Sequence, residues 1–167
     1  EAGRVLSMRD LDNDGSLDLL VGAPKSDTGG EDAGAAYLLL GPLTASRALS
    51  AADLRVTGEA ADDGLGNAIA AGDLSNVGVT SIVLGAPGSD RGGADSGAVF
   101  RFNDLTRGTF SAADADAAYS GESPDAAVGT SLLFLQDYDG DGREDIAVGA
   151  PGFVDGAGLL PGGVYLL

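Results

Sequence analysis

The chain has 167 residues, 44% of them hydrophobic, and 26 acidic against 9 basic side chains give it a net charge of −17. This composition suits one folded domain with a hydrophobic core, and the negative charge excludes nucleic acid and acidic membrane surfaces as natural partners. The sequence contains neither cysteine nor histidine, which excludes disulfides, the usual zinc sites and imidazole-based catalytic triads.

The apolar runs of the sequence are short and are interrupted by Gly, Asp or Ser. None approaches the ~20 residues that a membrane-spanning helix needs, so we expect no membrane insertion. No secretory leader opens the sequence, which begins at Glu1, and we therefore expect a mature or trimmed segment rather than a primary translation product.

A repeated unit organises the chain. Three Gly-Ala-Pro tripeptides begin at Gly22, Gly85 and Gly149, which lie 63 and 64 residues apart. Three further glycines keep a step of 63: Gly3, Gly66 and Gly129. Since a fixed period of this kind marks a repeat architecture, we predict one repeat domain over residues 1–167, made of units at residues 1–58, 59–121 and 122–167.

Each unit predicts short strands separated by turn residues. First strands are expected at residues 4–8, 67–71 and 130–135, and second strands, apolar and closed by Gly-Ala-Pro, at 17–21, 81–84 and 145–148. Third strands are expected at 35–40, 98–102 and 163–167, and fourth strands at 54–57 and 117–120 only. The Ala-rich segments at 44–53 and 111–118 predict at most a helical turn.

Repeated sets of four short strands favour an all-β fold built from β-propeller blades over a sandwich. The third unit is incomplete because no fourth strand follows its third. We therefore expect a partial propeller, either part of a longer array or a subunit of an assembly.

Two nine-residue acidic loops precede the second strands of the outer units. Carboxylates stand at positions one, three, five and nine of each, in the order Asp10, Asp12, Asp14, Asp18 and Asp137, Asp139, Asp141, Asp145. A glycine at position six permits a tight turn that aims the backbone carbonyl of position seven, Ser16 or Arg143, inward. Alternate oxygen ligands on a turning loop suit Ca²⁺, so we predict two calcium sites.

The middle unit lacks most of these ligands. Ser75, Val77 and Ser81 replace three of its four carboxylates, and Asp73 remains. We predict no calcium there, and the ion is therefore a stabiliser of a blade rather than a requirement for its formation. An EF-hand is excluded because the twelfth positions are Val21 and Val148 rather than Glu, and because the flanks predict strands.

Together these features resemble FG-GAP repeats, the blades of the integrin α-subunit β-propeller. They are the early glycine, the D-x-D-x-D-G-x-x-D loop, the apolar strand ending in Gly-Ala-Pro and a later strand of the Gly-x-Val-Tyr type. The aromatic residue of the "FG" is replaced by Ala2, Leu65 and Val128. The resemblance implies a calcium-binding, non-catalytic interaction or adhesion module, secreted or at the cell surface.

In that family, partners bind the face opposite the calcium loops. The resemblance therefore implies a protein or glycan partner on the loops at residues 25–34, 88–97 and 152–162 and the links at 59–64 and 122–127. Two alternatives stay open: a structural subunit that self-associates through blade faces or an open strand edge, and an accessory domain of a secreted hydrolase. No nucleophile-elbow or P-loop motif is present, and we expect no enzymatic activity.

Overall fold

The computed structural model describes residues 2–74, 78–104, 107–159 and 161–167. The strands of the first half are β1 (Val5–Arg9), β2 (Asp18–Ala23), β3 (Ala35–Leu39), β4 (Leu54–Thr57), β5 (Ala68–Gly72) and β6 (Ser81–Ala86). Those of the second half are β7 (Ala98–Asn103), β8 (Gly108–Ser111), β9 (Ala117–Ser120), β10 (Ser131–Phe134), β11 (Ile146–Ala150) and β12 (Gly163–Leu166). Two single-turn 3₁₀ helices, Leu49–Ala51 and Ala112–Asp114, lie in the Ala-rich segments. Over the described ranges, no helix has the length and apolarity needed to cross a membrane.

The strands form three sheets, in the orders β1-β2-β3-β4-β8, β5-β6-β7-β9 and β10-β11-β12. Neighbouring strands are antiparallel except for the parallel pair β4 and β8. We refer to the sheets as the first, second and third blades. The prediction of an all-β fold of propeller blades is confirmed, and the eleven strands that the sequence predicts lie within two residues of their expected bounds. The unit boundaries themselves stay a prediction.

One further strand, β8, was not predicted. It comes from the second unit yet pairs in parallel with β4 of the first blade, from Leu54 opposite Gly108 to Thr57 opposite Ser111. Asp53 anchors this crossing, because its carboxylate lies 2.8 Å from Arg107 Nη1 beside β8. The backbone N–H of Leu40, which donates to the same carboxylate, lowers the pKa of Asp53, with Arg47 and Arg107 acting in the same direction. The outer edge of the first blade is thereby covered.

The core consists of two apolar layers between the blades. Alternate side chains of the second blade, such as Ile82 and Leu84, pack toward the first blade, and Val83 and Val99 pack toward the third. All six residues of β6 are buried, because both faces of that strand are covered. This explains why the second strands have nearly continuous apolar sequences.

Pairs of glycines join the first and second strands within each unit, and they also bring adjacent blades into backbone contact. Within the second unit the N–H of Gly66 donates to the carbonyl of Gly85 at 3.0 Å, and the equivalent pairs Gly3 with Gly22 and Gly129 with Gly149 repeat this bond. Between units, a Cβ on Gly85 would lie 2.1 Å from the carbonyl oxygen of Gly129. Gly129 itself has φ of +88°, which favours glycine. The two glycines of the repeat therefore set the spacing between blades.

Candidate metal centre

The acidic segments form loops at one end of the blades, because each joins a first strand to a second strand. We call residues 10–18 the first loop, 73–81 the second loop and 137–145 the third loop. The first loop connects β1 to β2, the second connects β5 to β6, and the third connects β10 to β11. The three loops therefore connect equivalent strands of their blades.

In the first loop, positions one, three and nine converge. Oxygens of Asp10, Asp12 and Asp18 lie within 4.8 Å of one another. The Asp10 carboxylate accepts the backbone N–H groups of Asp14 at 3.1 Å and Gly15 at 3.0 Å. These bonds fold the loop back on its first residue and hold the carboxylate toward the cluster.

Asp18 is the most enclosed member of this cluster. It is 0% exposed, although it carries a carboxylate. Its two oxygens accept the N–H of Leu11 at 2.7 Å and the N–H of Gly41 at 2.8 Å. Asp18 therefore joins the loop to the end of β3 and also belongs to the cluster.

The third loop repeats the arrangement nearer to solvent. Oxygens of Asp137, Asp139 and Asp145 lie within 4.8 Å of one another. The Asp137 carboxylate accepts the N–H groups of Gly140 at 2.7 Å and Gly142 at 3.0 Å. Asp145 accepts the N–H groups of its own loop at Tyr138, 2.6 Å, and Asp139, 3.2 Å. The two clusters thus use the same positions of the repeat.

Position five behaves differently from the other three. Asp14 accepts the N–H of Ser16 at 2.7 Å, and Asp141 accepts the N–H of Arg143 at 2.9 Å. Neither Asp14 nor Asp141 belongs to the convergent clusters. Their role as ligands, and that of the Ser16 and Arg143 carbonyls, stays a prediction.

The donor chemistry of both clusters fits a hard divalent cation. Ca²⁺ binds oxygen ligands at about 2.3–2.6 Å, so oxygens on opposite sides of one ion lie about 5 Å apart. The carboxylates of each cluster fall within that separation. The neighbouring backbone N–H groups orient the carboxylates but do not neutralise them, which leaves negative charge for a cation to balance.

The second loop has no such cluster among the residues that the structure describes. Ser75 and Val77, on which its predicted lack of calcium partly depends, lie outside the described residues. At position nine, Ser81 is 1% exposed and donates its hydroxyl hydrogen to Asn103 Oδ1 at 2.8 Å. A side-chain hydrogen bond thus takes the place that a buried carboxylate occupies in the first loop.

Sequence reasoning missed a contact that joins the three blades. Glu144, at position eight of the third loop, accepts the N–H of Asp73 in the second loop at 2.6 Å. Its other oxygen lies 3.6 Å from Arg9 of β1. Arg9 in turn donates to the carbonyl of Ala71 at 3.3 Å. No motif marks Glu144, although its neighbour Asp145 belongs to the third cluster.

Comparisons with known proteins agree with this architecture. The family model described as "FG-GAP repeat" matches residues 2–39 and 128–160. Integrin alpha-7 from Homo sapiens is 34% identical over 141 residues, which cover 84% of this chain and 11% of that protein. Integrin alpha-7 from Mus musculus and from Rattus norvegicus are each 33% identical over the same share of this chain, which spans 11% and 12% of their lengths. The chain thus belongs to the FG-GAP repeat family, with propeller blades similar to those of integrin α subunits.

Proposed function

We propose that this chain is a calcium-stabilised, non-catalytic extracellular module that binds a protein or glycan partner. Its similarity to integrin alpha-7 over 84% of its length supports an adhesion-type propeller module at or outside the cell surface. The chain spans about a ninth of those relatives, so their activities and partners are a basis for the proposal only.

The observation that carries the calcium assignment is the pair of carboxylate clusters at equivalent positions. Asp10, Asp12 and Asp18 converge in the first loop, and so do Asp137, Asp139 and Asp145 in the third. The second loop forms the same turn hydrogen bond, from the N–H of Gly78 to the Asp73 carboxylate at 2.7 Å, yet has no such cluster among its described residues, so local hydrogen bonding alone does not account for the clusters. We assign Asp14, Asp141 and the carbonyls of Ser16 and Arg143 as further ligands. The cation neutralises each cluster and holds the first and second strands of its blade together.

The proposed partner surface is the opposite face of the blades. Arg91 makes two hydrogen bonds to the Glu59 carboxylate, at 2.7 and 2.6 Å, and its guanidinium lies 5.1 Å from the ring centroid of Phe100. Isolated parallel bridges connect Gly34 to Leu65 and Gly97 to Val128. These contacts fix the loops to the links between units, so a partner meets a surface that needs little ordering.

Calcium titration tests the proposal. Isothermal titration calorimetry should find two sites per chain with dissociation constants of order 10⁻⁴ to 10⁻³ M, as in extracellular modules. Asp12→Ala and Asp139→Ala should each abolish one site, because each removes a converging carboxylate. Asp14→Ala and Asp141→Ala test position five in the same way. Asp73→Ala is the matched control in the second loop and should leave the number of sites unchanged.

A second candidate function, self-association, is favoured by apolar side chains on the outer blade faces. Leu6 and Met8 of β1 are 59% and 60% exposed. On the third blade, Leu133, Val164 and Leu166 are 62%, 70% and 55% exposed. Register places Leu133 opposite Ala147, and Ala147 opposite Leu166, so these side chains share one face. Contiguous exposed apolar residues of this kind mark interaction surfaces.

Sedimentation velocity over a range of protein concentrations tests this candidate. We expect the wild-type chain to sediment as larger species at high concentration, and the double variant Leu6→Ser, Met8→Ser to do so less, because it lacks the apolar contacts of one outer face. Leu17→Ser is a matched control, since Leu17 is 57% exposed but lies in the first loop. A single monomeric species at every concentration contradicts self-association and leaves the binding module as the proposed function.

A further inference from the structure

One arginine lies between the second and third blades without a charge partner. A cavity of about 200 Å³ there is lined by Arg101 of β7 and, from the third loop, by Asp139, Asp141 and Asp145. The Nε of Arg101 is buried and has no hydrogen-bond partner. Of the ion pairs formed among the described residues, none includes this guanidinium. An unpaired cation thus shares a cavity with the carboxylates of the proposed third site.

Comparison of equivalent positions indicates that this placement is linked to charge. Arg101 is the fourth residue of β7, and Leu38 is the fourth residue of β3. Leu38 is 0% exposed and belongs to the apolar layer between the first and second blades. The loop of the second blade has lost three of its four carboxylates, whereas the loop that faces Arg101 keeps all four. Leucine therefore accompanies the loop that has lost most of its carboxylates, and arginine accompanies the loop that keeps them.

Other charges line the same cavity. Arg143 and Glu144 of the third loop carry opposite charges, and Glu144 is engaged by Arg9 at 3.6 Å and by the N–H of Asp73. Tyr119 contributes an aromatic wall. These groups leave Arg101 as the cation that the second blade presents to the third cluster.

A guanidinium in this position opposes cation binding in two ways. When the loop is empty, it reduces the mutual repulsion of the carboxylates and so stabilises the empty state. When a divalent cation binds, two positive groups share one small cavity and repel each other. Both effects weaken cation binding at the third loop.

We propose that Arg101, whose charge shares a cavity with the carboxylates of the third loop, weakens cation binding at that loop. This inference depends on the proposed calcium binding and adds a residue that lowers the affinity of the third site.

Terbium luminescence at the third site tests the inference. Tyr138 is the second residue of the third loop, where the first loop has Leu11, so tyrosine-sensitised Tb³⁺ emission reports the third site. Arg101→Leu installs the residue of the first blade and should lower the dissociation constant for Tb³⁺ roughly threefold to thirtyfold by removing one nearby charge. Arg101→Lys keeps the charge and should stay near wild type. Competition with Ca²⁺ should give the same order of affinities among the wild type, Arg101→Leu and Arg101→Lys.

Controls make each outcome decisive. The double variant Tyr119→Phe, Tyr138→Phe should remove the emission, because both tyrosines lie beside the carboxylates of the third loop, and this assigns the emission to that loop. Arg55→Leu is the matched control and should leave the Tb³⁺ affinity unchanged. The Nε of Arg55 is also buried without a partner, but Arg55 lies on β4 of the first blade. Arg101→Gln gives a second neutral variant if the leucine variant does not fold. Unchanged affinity in the neutral variants overturns the role of Arg101, whereas absence of Tb³⁺ and Ca²⁺ binding to the wild type overturns the proposed function itself.

Discussion

Alanine at position 85 should lower the free energy of unfolding by about 3 kcal/mol, the upper end of the usual cost of overpacking. The reason is a backbone contact, since the new Cβ would lie 2.1 Å from the carbonyl oxygen of Gly129 in the next blade. A backbone carbonyl oxygen, unlike a side chain, has no alternative rotamer, so the second and third blades must separate. Urea denaturation followed by circular dichroism measures the change.

The repeat supplies its own control. Gly149→Ala makes the equivalent change in the third blade, but there the new Cβ would lie 2.2 Å from the Ser131 hydroxyl oxygen, the end of a side chain that can rotate away. We expect this variant to cost less than about 1 kcal/mol. Gly22→Ala, whose Cβ would lie 2.2 Å from the carbonyl oxygen of Gly66, should resemble Gly85→Ala. Equal costs at Gly85 and Gly149 would show that contact between blades is not the reason for these glycines.

The sequence predicted the blades because their signals are local. A strand such as β6 shows a continuous apolar run that ends at Gly-Ala-Pro, and both features lie within seven neighbouring residues. β8 has no such signal, since Gly108–Ser111 is short and mostly polar. Its conformation is fixed by pairing with β4 and by the contact between Arg107 and Asp53, residues that lie 54 positions apart. Pairing across units overrides weak local propensity here.

The candidate site likewise contains some residues that the local sequence predicts and others that it does not. Position, spacing and residue type within nine residues suffice to gather Asp137, Asp139 and Asp145, because a tight turn determines where they point. Glu144 could not be predicted, because its partner Asp73 lies 71 residues away and in another blade. The only sequence signal for Arg101 is its contrast with Leu38 at the equivalent position of the first unit. Comparing repeats within one chain therefore reveals charges that a motif search passes over.

Asp18→Ala should destabilise the chain by about 2–4 kcal/mol even in the presence of a chelator. Asp18 is fully buried, and its loss leaves the N–H groups of Leu11 and Gly41 without their acceptors. Each unsatisfied buried donor costs about 1–3 kcal/mol. This aspartate is therefore expected to stabilise the first blade independently of any cation, and denaturant titration in EDTA measures that part alone.

Repeating the titration in calcium separates the two roles of Asp18. At a calcium concentration 100 times the dissociation constant, one site adds about 2.7 kcal/mol of stability, and the variant should lose that increment as well. Asp145→Ala is the matched variant: the N–H groups that Asp145 accepts, from Tyr138 and Asp139, lie on exposed residues and can turn to water. It should lose the calcium increment of its own site yet cost less than about 1 kcal/mol in EDTA. If Asp18→Ala is as mild as Asp145→Ala in EDTA, the buried hydrogen bonds of Asp18 contribute nothing and its conformation is set by the cation alone.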